Sequence, residues 1–175
     1  QPIAIYIQAL SALAIVTISL FLLKQHYNDS LLLSTDAAEF HTAAEHIENG
    51  SNVLPLNYTD NWVHSNFSNY LGSEKPIIIL DNYEAGQSHF PMKWKDKISP
   101  NKVIGNFTNS SRPCINIDKY ENYSAVKIDY ITLWYFNPSI NDSCTIAAQK
   151  QIEEKFDLIY TSPNEKVELF RRKIH

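Results

Sequence analysis

The chain has 175 residues, a formal net charge of -4 and 44% hydrophobic residues, which suits one domain of ordinary size with a packed core. The mild acidic charge and the lack of a basic stripe argue against a nucleic-acid-binding protein. The sequence also contains no glycine-rich phosphate loop, no G-x-S-x-G elbow and no CxxC pair, which removes the common nucleotide, serine-hydrolase and redox signatures.

The N-terminal segment predicts a transmembrane helix. Residues 3–23 carry no charge, and a helix of that length spans about 31 Å, the thickness of a bilayer's hydrocarbon core. A cleaved signal peptide is the alternative, but the segment has no basic start and no small-residue cleavage site follows it. We therefore predict a transmembrane helix over 1–24, a linker over 25–33 and an extracytoplasmic domain over 34–175.

One side of this helix carries small and polar residues, which suit helix–helix packing inside a membrane bundle. Isolated anchors also contain such residues, so a single-pass protein is the other interpretation. The start at Gln1 rather than Met leads us to expect a fragment of a longer, polytopic chain, with other transmembrane helices of the same protein as partners. The residues on this side are Ala4, Gln8, Ser11, Ala12 and Ser19.

Two features favour a domain outside the cytoplasm. Cys114 and Cys144 are the two cysteines, and a pair in an oxidising compartment forms a stabilising disulfide; two free buried thiols are the alternative. N-x-S/T sequons are also frequent, although an Asn-rich composition gives the same pattern. They occur at Asn28, Asn49, Asn57, Asn66, Asn106, Asn109, Asn122 and Asn141.

The rest of the chain alternates amphipathic segments with short apolar runs. Capping residues and glycines mark the helix ends, and runs of buried-strand length mark the strands. We predict helices over 34–49, 59–72 and 142–156, and strands over 52–58, 75–83, 114–120, 127–136, 157–162 and 166–173. Apart from the strand over 114–120, residues 84–125 show no clear pattern of helices or strands, because prolines interrupt them.

This order predicts an α/β fold, with a small, mainly parallel sheet, helices on its faces and a C-terminal antiparallel hairpin. The hairpin would supply an edge strand of the sheet. Exposed basic residues discourage unwanted pairing at such an edge, and we expect Arg171, Arg172 and Lys173 to have that role.

Polar and aromatic residues follow two of the predicted strands. Since ligands gather at the carboxyl ends of parallel strands, we expect both clusters to form a single ligand-binding rim. Trp and Tyr rings beside fixed amide and carboxylate groups suit a neutral polar ligand such as a sugar. The alternative is an ordinary capped helix after a strand. The candidate residues are Asn57, Asp60, Asn61, Trp62, His64, Asp81, Tyr83 and Glu84.

Catalytic and metal-binding interpretations have less support. Asp81 and Glu84 resemble a general acid/base pair, and with Asp60 and His64 they form the basis of a carboxylate-dependent hydrolase hypothesis, yet no second motif accompanies them. His41 and His46 are five positions apart, so they point about 140° apart on a helix, which is poor for chelating zinc. We predict no metal site and no cofactor.

The order of parts resembles the C-terminal extracytoplasmic region of bacterial GT-C-type membrane glycosyltransferases, the dolichyl-phosphate-mannose mannosyltransferase-like proteins. The resemblance covers most of the chain and includes no catalytic motif. It lies in the membrane helix (3–23), "AAEHIENGSNVLPLNY" (43–58), "KIDYITLWYF" (127–136) and "FDLIYTSPNEKVELFRRK" (156–173).

The resemblance implies a bacterial inner-membrane protein with this domain on the periplasmic side and a lipid-linked sugar as donor. The family's catalytic acidic residue lies in an early loop that this chain does not contain, so no catalytic residue carries over. The domain is then expected to bind or position a glycan or a partner without being catalytic itself. A single-pass binding or assembly module unrelated to glycosyl transfer is the alternative.

Overall fold

The computed structural model describes residues 2–59, 61–81, 85, 89–95, 98, 115–137 and 142–174. The chain divides into two compact units, Gln1–Asp36 and Ala37–His175. Within the described residues, one helix is long and apolar enough to cross a membrane, with a mean hydropathy of 2.1 over its most apolar window. This conclusion rests on length and composition, which a signal sequence can also satisfy.

The first unit is helical throughout its described part. Helix α1 spans Pro2–His41, and its last residues, from Ala37 onward, belong to the second unit. Residues 25–33, which we interpreted as a linker, are therefore helical. The sequence contains no proline or glycine between Ile3 and Asn49, so nothing in this stretch strongly opposes a helix.

The second unit is an α/β domain, as the sequence predicts. Its five strands are β1 (Asn52–Asn57), β2 (Ile78–Ile79), β3 (Tyr130–Trp134), β4 (Phe156–Thr161) and β5 (Val167–Arg172). The strand order is β2-β1-β3-β5-β4. β1 is parallel to both β2 and β3, whereas β5 is antiparallel to both β3 and β4, so the sheet is mixed.

Both faces of the sheet are covered. On one face, Leu54 and Leu56 of β1 join Ile131 and Leu133 of β3 in a cluster with buried residues from helices α2 (Ile117–Ser124) and α3 (Ser143–Lys155). On the other face lie two 3-10 helices, a short one (Thr42–His46) and a long one (Trp62–Gly72). Alternation of side chains along each strand produces the two faces.

Several predicted elements differ from the structure. The strand predicted over 114–120 is wrong, because Ile117–Ser124 is a helix whose start is capped by the Asn116 side chain, which accepts from the Lys119 N–H at 2.8 Å. The strand predicted over 75–83 is reduced to Ile78–Ile79. The helix predicted over 34–49 is the end of α1 followed by a 3-10 turn.

The expected role of the basic residues at the C-terminus is also wrong. β5 lies between β3 and β4, so β4 is the edge strand. Arg172 is instead paired with the buried Glu121 carboxylate, and its Nε donates to the Ile128 carbonyl at 2.6 Å. The edge strand contains a register irregularity between Leu158 and Tyr160, a device that discourages edge-to-edge pairing.

Candidate functional site

The carboxyl ends of β1 and β3 lie side by side, because Asn57 pairs in register with Trp134. Asn57 Oδ1 accepts from the Thr59 N–H at 2.9 Å, and the Tyr58 N–H donates to the Trp134 carbonyl at 3.0 Å. The chain therefore turns tightly out of β1. Asn61, the first residue that the structure describes after Thr59, directly precedes the long 3-10 helix.

Asn61 is exposed and caps this helix. Its Oδ1 accepts from the Val63 N–H at 3.1 Å, and its Nδ2 lies 3.5 Å from His64 Nε2. Asp60 lies outside the described residues. The capping role predicted for this stretch thus belongs to Asn61, a residue type that favours such positions.

His64 is 8% exposed and packs beneath the rim, the surface at the carboxyl ends of β1 and β3. Its ring centroid lies 4.7 Å from that of Phe67 and 5.7 Å from that of Trp134. The ring of Tyr135 is nearly parallel to it, with centroids 6.1 Å apart. His64 therefore belongs to an aromatic cluster, and the surface of that cluster is provided by Tyr135.

Tyr135 is the rim residue that the sequence analysis missed. It follows β3 directly, has φ of 51° and is 38% exposed. Its N–H donates to the Lys166 carbonyl at 2.8 Å, and Lys166 Nζ lies 5.6 Å from its ring centroid. Left-handed backbone in a large residue is strained and occurs often at functional sites. Here it turns the chain at the end of β3.

Asp81 lies beyond the end of β2 and contacts the long 3-10 helix. β2 stops at Ile79, opposite Val53, four positions before β1 ends at Asn57. The Asp81 carboxylate accepts from Ser68 Oγ at 2.8 and 3.0 Å, beneath the middle of the long 3-10 helix. Burial raises the pKa of Asp81 to about 7, against the lowering effect of the Ser68 hydrogen bonds.

Asp81 alone does not make an active site. Ser68, its one hydrogen-bonding partner among the described side chains, is itself 4% exposed, whereas Asp81 is partly exposed. Glu84 and Tyr83 lie outside the described residues, as does the proposed pairing partner Cys114. The side chain of Trp62 is also outside what the structure describes.

Cys144 is disulfide-bonded, and Cys114 is the other cysteine of the sequence. Cys144 lies in the first turn of α3, where the Asp142 side chain accepts from the N–H groups of Cys144 and Thr145 at 3.0 and 2.9 Å. In the described ranges, no three His, Cys, Asp or Glu side chains are grouped to hold a metal ion.

The rim therefore combines an exposed amide, Asn61, with an exposed aromatic ring, Tyr135, on a support of buried rings. Its residues come from the ends of two neighbouring strands and from a helix start. Comparisons with protein-family models, with curated proteins and with solved structures found no match.

Proposed function

We propose that this chain is a C-terminal segment of a polytopic, glycosyltransferase-like membrane protein, and that its α/β domain binds a neutral glycan without catalysing a reaction. The long apolar helix supports the membrane assignment. The resemblance to GT-C-type glycosyltransferases supports the link to sugars. The disulfide at Cys144 supports an extracytoplasmic, periplasmic position for the domain.

The observation that carries the proposal is the exposed ring of Tyr135, whose backbone is left-handed and whose ring is stacked on His64, the residue that Asn61 also approaches. An aromatic ring presents an apolar face that can contact the C–H groups of a sugar. The amide of Asn61 adds donors and acceptors in one group, which matches hydroxyl groups. The ring is fixed by the Lys166 backbone contact and by the cluster around His64, so little flexibility is lost on binding.

Replacing Tyr135 by glycine tests this proposal. Glycine accepts a φ of 51°, so relief of strain offsets part of the lost ring contacts, and we expect the unfolding free energy to stay within about 1 kcal/mol. Binding of neutral glucose- or mannose-based oligosaccharides should weaken at least about tenfold. The measurement is titration calorimetry of the full chain in lipid nanodiscs, which avoids sugar-headed detergents.

Ala125→Gly is the matched control, because Ala125 also has a left-handed backbone, with φ of 58°, but ends α2. It should leave glycan binding unchanged. A Tyr135→Gly protein that folds and binds glycans as tightly as the unmodified chain would remove the rim from the proposal.

A membrane-anchored module that binds a protein partner is the second candidate. It is favoured by the single candidate membrane span in the described part of the chain. The reading frame of the gene separates the two candidates. Several further apolar segments of membrane-spanning length upstream would support the polytopic protein, and their absence would support the single-pass module.

A further inference from the structure

A groove of about 520 Å³ runs along the outer side of the long 3-10 helix. Among the described residues, its lining contains two amide side chains and two aromatic rings, and no residue with a formal charge. Leu71 and Ser68 are buried on the inner side of the same helix, so the outer side is free to present the groove. The lining residues are Val63, Asn66, Phe67, Asn69, Tyr70 and Ser73.

The geometry of a 3-10 helix aligns these residues. With three residues per turn, side chains three positions apart eclipse one another, and each turn advances about 6 Å. Val63, Asn66 and Asn69 therefore form one row, and Asn66 and Asn69 are both exposed. An ordinary α-helix would rotate them apart. The row offers hydrogen-bonding groups at a regular spacing along the groove.

Ring contacts link the groove to the rim. Tyr70 is 50% exposed, and its ring lies edge-on to that of Phe67 with centroids 6.1 Å apart. Phe67 contacts His64 at 4.7 Å, and His64 lies parallel to Tyr135 at 6.1 Å. The buried rings of Phe67 and His64 thus link Tyr70 in the groove to Tyr135 at the rim.

We propose that the ligand is an extended neutral oligosaccharide, which contacts Tyr135 at the rim and continues along the groove to Tyr70. This inference rests on the proposed function and specifies its ligand. The path from Asn61 to Ser73 covers twelve residue steps, which is about 24 Å at 2.0 Å per residue. A single sugar would occupy a small part of that length.

The lining argues for a neutral chain. A phosphate or carboxylate in the groove would find no Lys or Arg side chain among the lining residues and would lose hydration without a compensating charge. The hydroxyl groups of a neutral sugar need no such partner, because amides satisfy them. At the far end of the groove, His41 Nε2 lies 3.4 Å from Ser73 Oγ. We place the end of the oligosaccharide there.

The test compares ligands of different length on the full chain in lipid nanodiscs. Titration calorimetry with a monosaccharide, a disaccharide and a hexasaccharide of the same neutral series should show affinity rising with length. Tyr70→Ala should weaken hexasaccharide binding about tenfold, the value of one aromatic contact, and leave disaccharide binding unchanged. Tyr123→Ala is the control, since Tyr123 is a 47% exposed tyrosine on α2.

Asn66→Ala and Asn69→Ala provide a second test that does not depend on the aromatic ring. Both residues are exposed, so these variants should fold normally. Each should weaken binding of the hexasaccharide alone, whereas Asn122→Ala, at an exposed asparagine on α2, should have no effect.

The outcomes separate the inference from the proposed function. Equal affinity for short and long sugars, lowered by Tyr135→Gly and unaffected by Tyr70→Ala, would overturn the extended ligand and keep the rim. A chain that binds no member of the neutral series would overturn both. Hexasaccharide binding that requires Tyr70, Asn66 and Tyr135 together would establish one continuous site.

Discussion

At the scale of single residues, Asp81 contributes a loss of stability as the pH rises above about 4. Its carboxyl group keeps its proton up to about pH 7 in the folded state because burial raises its pKa, whereas an unfolded chain loses that proton near pH 4. The folded state therefore binds more protons between these values. By linkage, the free energy of unfolding falls as the pH rises through this window and then levels off.

Asp81→Asn should remove the Asp81 contribution to this dependence, because asparagine keeps an oxygen acceptor for Ser68 Oγ and never ionises. We expect the variant to gain stability relative to the unmodified chain at pH 8 and to show little difference at pH 4. The shift is worth several kcal/mol at most, at about 1.4 kcal/mol per pKa unit. Urea unfolding followed by tryptophan fluorescence measures it.

Asp157→Asn is the control for this experiment, because the Asp157 side chain is 67% exposed. If the Asp81→Asn protein loses stability with pH just as the unmodified chain does, burial of the Asp81 carboxyl does not govern the response.

At the scale of elements, the end of α1 is held to the β4–β5 turn by one buried carboxylate. Glu39 accepts from Ser162 Oγ at 2.7 Å and from Asn164 N and Nδ2 at 3.1 and 2.9 Å. Lys166 Nζ lies 3.6 Å away. Burial alone would raise the pKa of Glu39, but these hydrogen bonds and the Lys166 charge lower it overall.

Glu39→Gln should lower the free energy of unfolding by about 2–3 kcal/mol at pH 7, because one carboxylate oxygen becomes an amide donor facing the Asn164 donors. The contribution of Glu39 is present above the ordinary pKa of a glutamate and disappears as the pH falls through its lowered value. Unfolding midpoints at neutral and acidic pH measure both effects.

Glu45→Gln, at an exposed glutamate of the adjacent short 3-10 helix, should change stability by less than about 0.5 kcal/mol. Equal losses in the two variants would show that the buried carboxylate does not stabilise the hairpin turn.

Elements with strong local signals were predictable. Asp142 caps α3, the C-terminal hairpin is present, and β1 lies within its predicted range. The helix Ile117–Ser124 was not, because its apolar residues Ile115, Ile117 and Tyr120 also fit a short strand. Whether this segment forms a helix or a strand depends on the Asn116 cap and on packing against α3. That packing includes Gln151, whose Oε1 accepts from the Ile117 N–H.

The site was predictable in part. The position of Asn57, Asn61 and His64 at a strand end follows from the strand–helix order, and the structure places them there. Tyr135 was hidden inside a predicted strand, since its left-handed backbone arises from pairing across to Lys166. Asp81 was assigned to the rim because β2 was predicted to be longer than it is.

At the scale of the whole molecule, we propose that the domain belongs to a membrane protein and binds a sugar chain without acting on it. Three of the described carboxylates serve the fold: Glu39 and Glu121 are buried in ion pairs, and Asp81 accepts hydrogen bonds from Ser68. Exposed amides and aromatic rings occupy the rim and groove, and Lys166 Nζ lies 5.6 Å from the Tyr135 ring centroid. We propose that this surface binds a neutral chain.

Amide NMR of the full chain in lipid nanodiscs, titrated with a neutral hexasaccharide, tests this account most directly. We predict shifts for the described residues of 57–73 and 134–136, and none at the opposite end of the sheet, where Glu48, Asp129 and Arg171 line a separate cleft. Shifts confined to that cleft, or no shifts in a folded protein, would contradict the assignment of the rim as a glycan site.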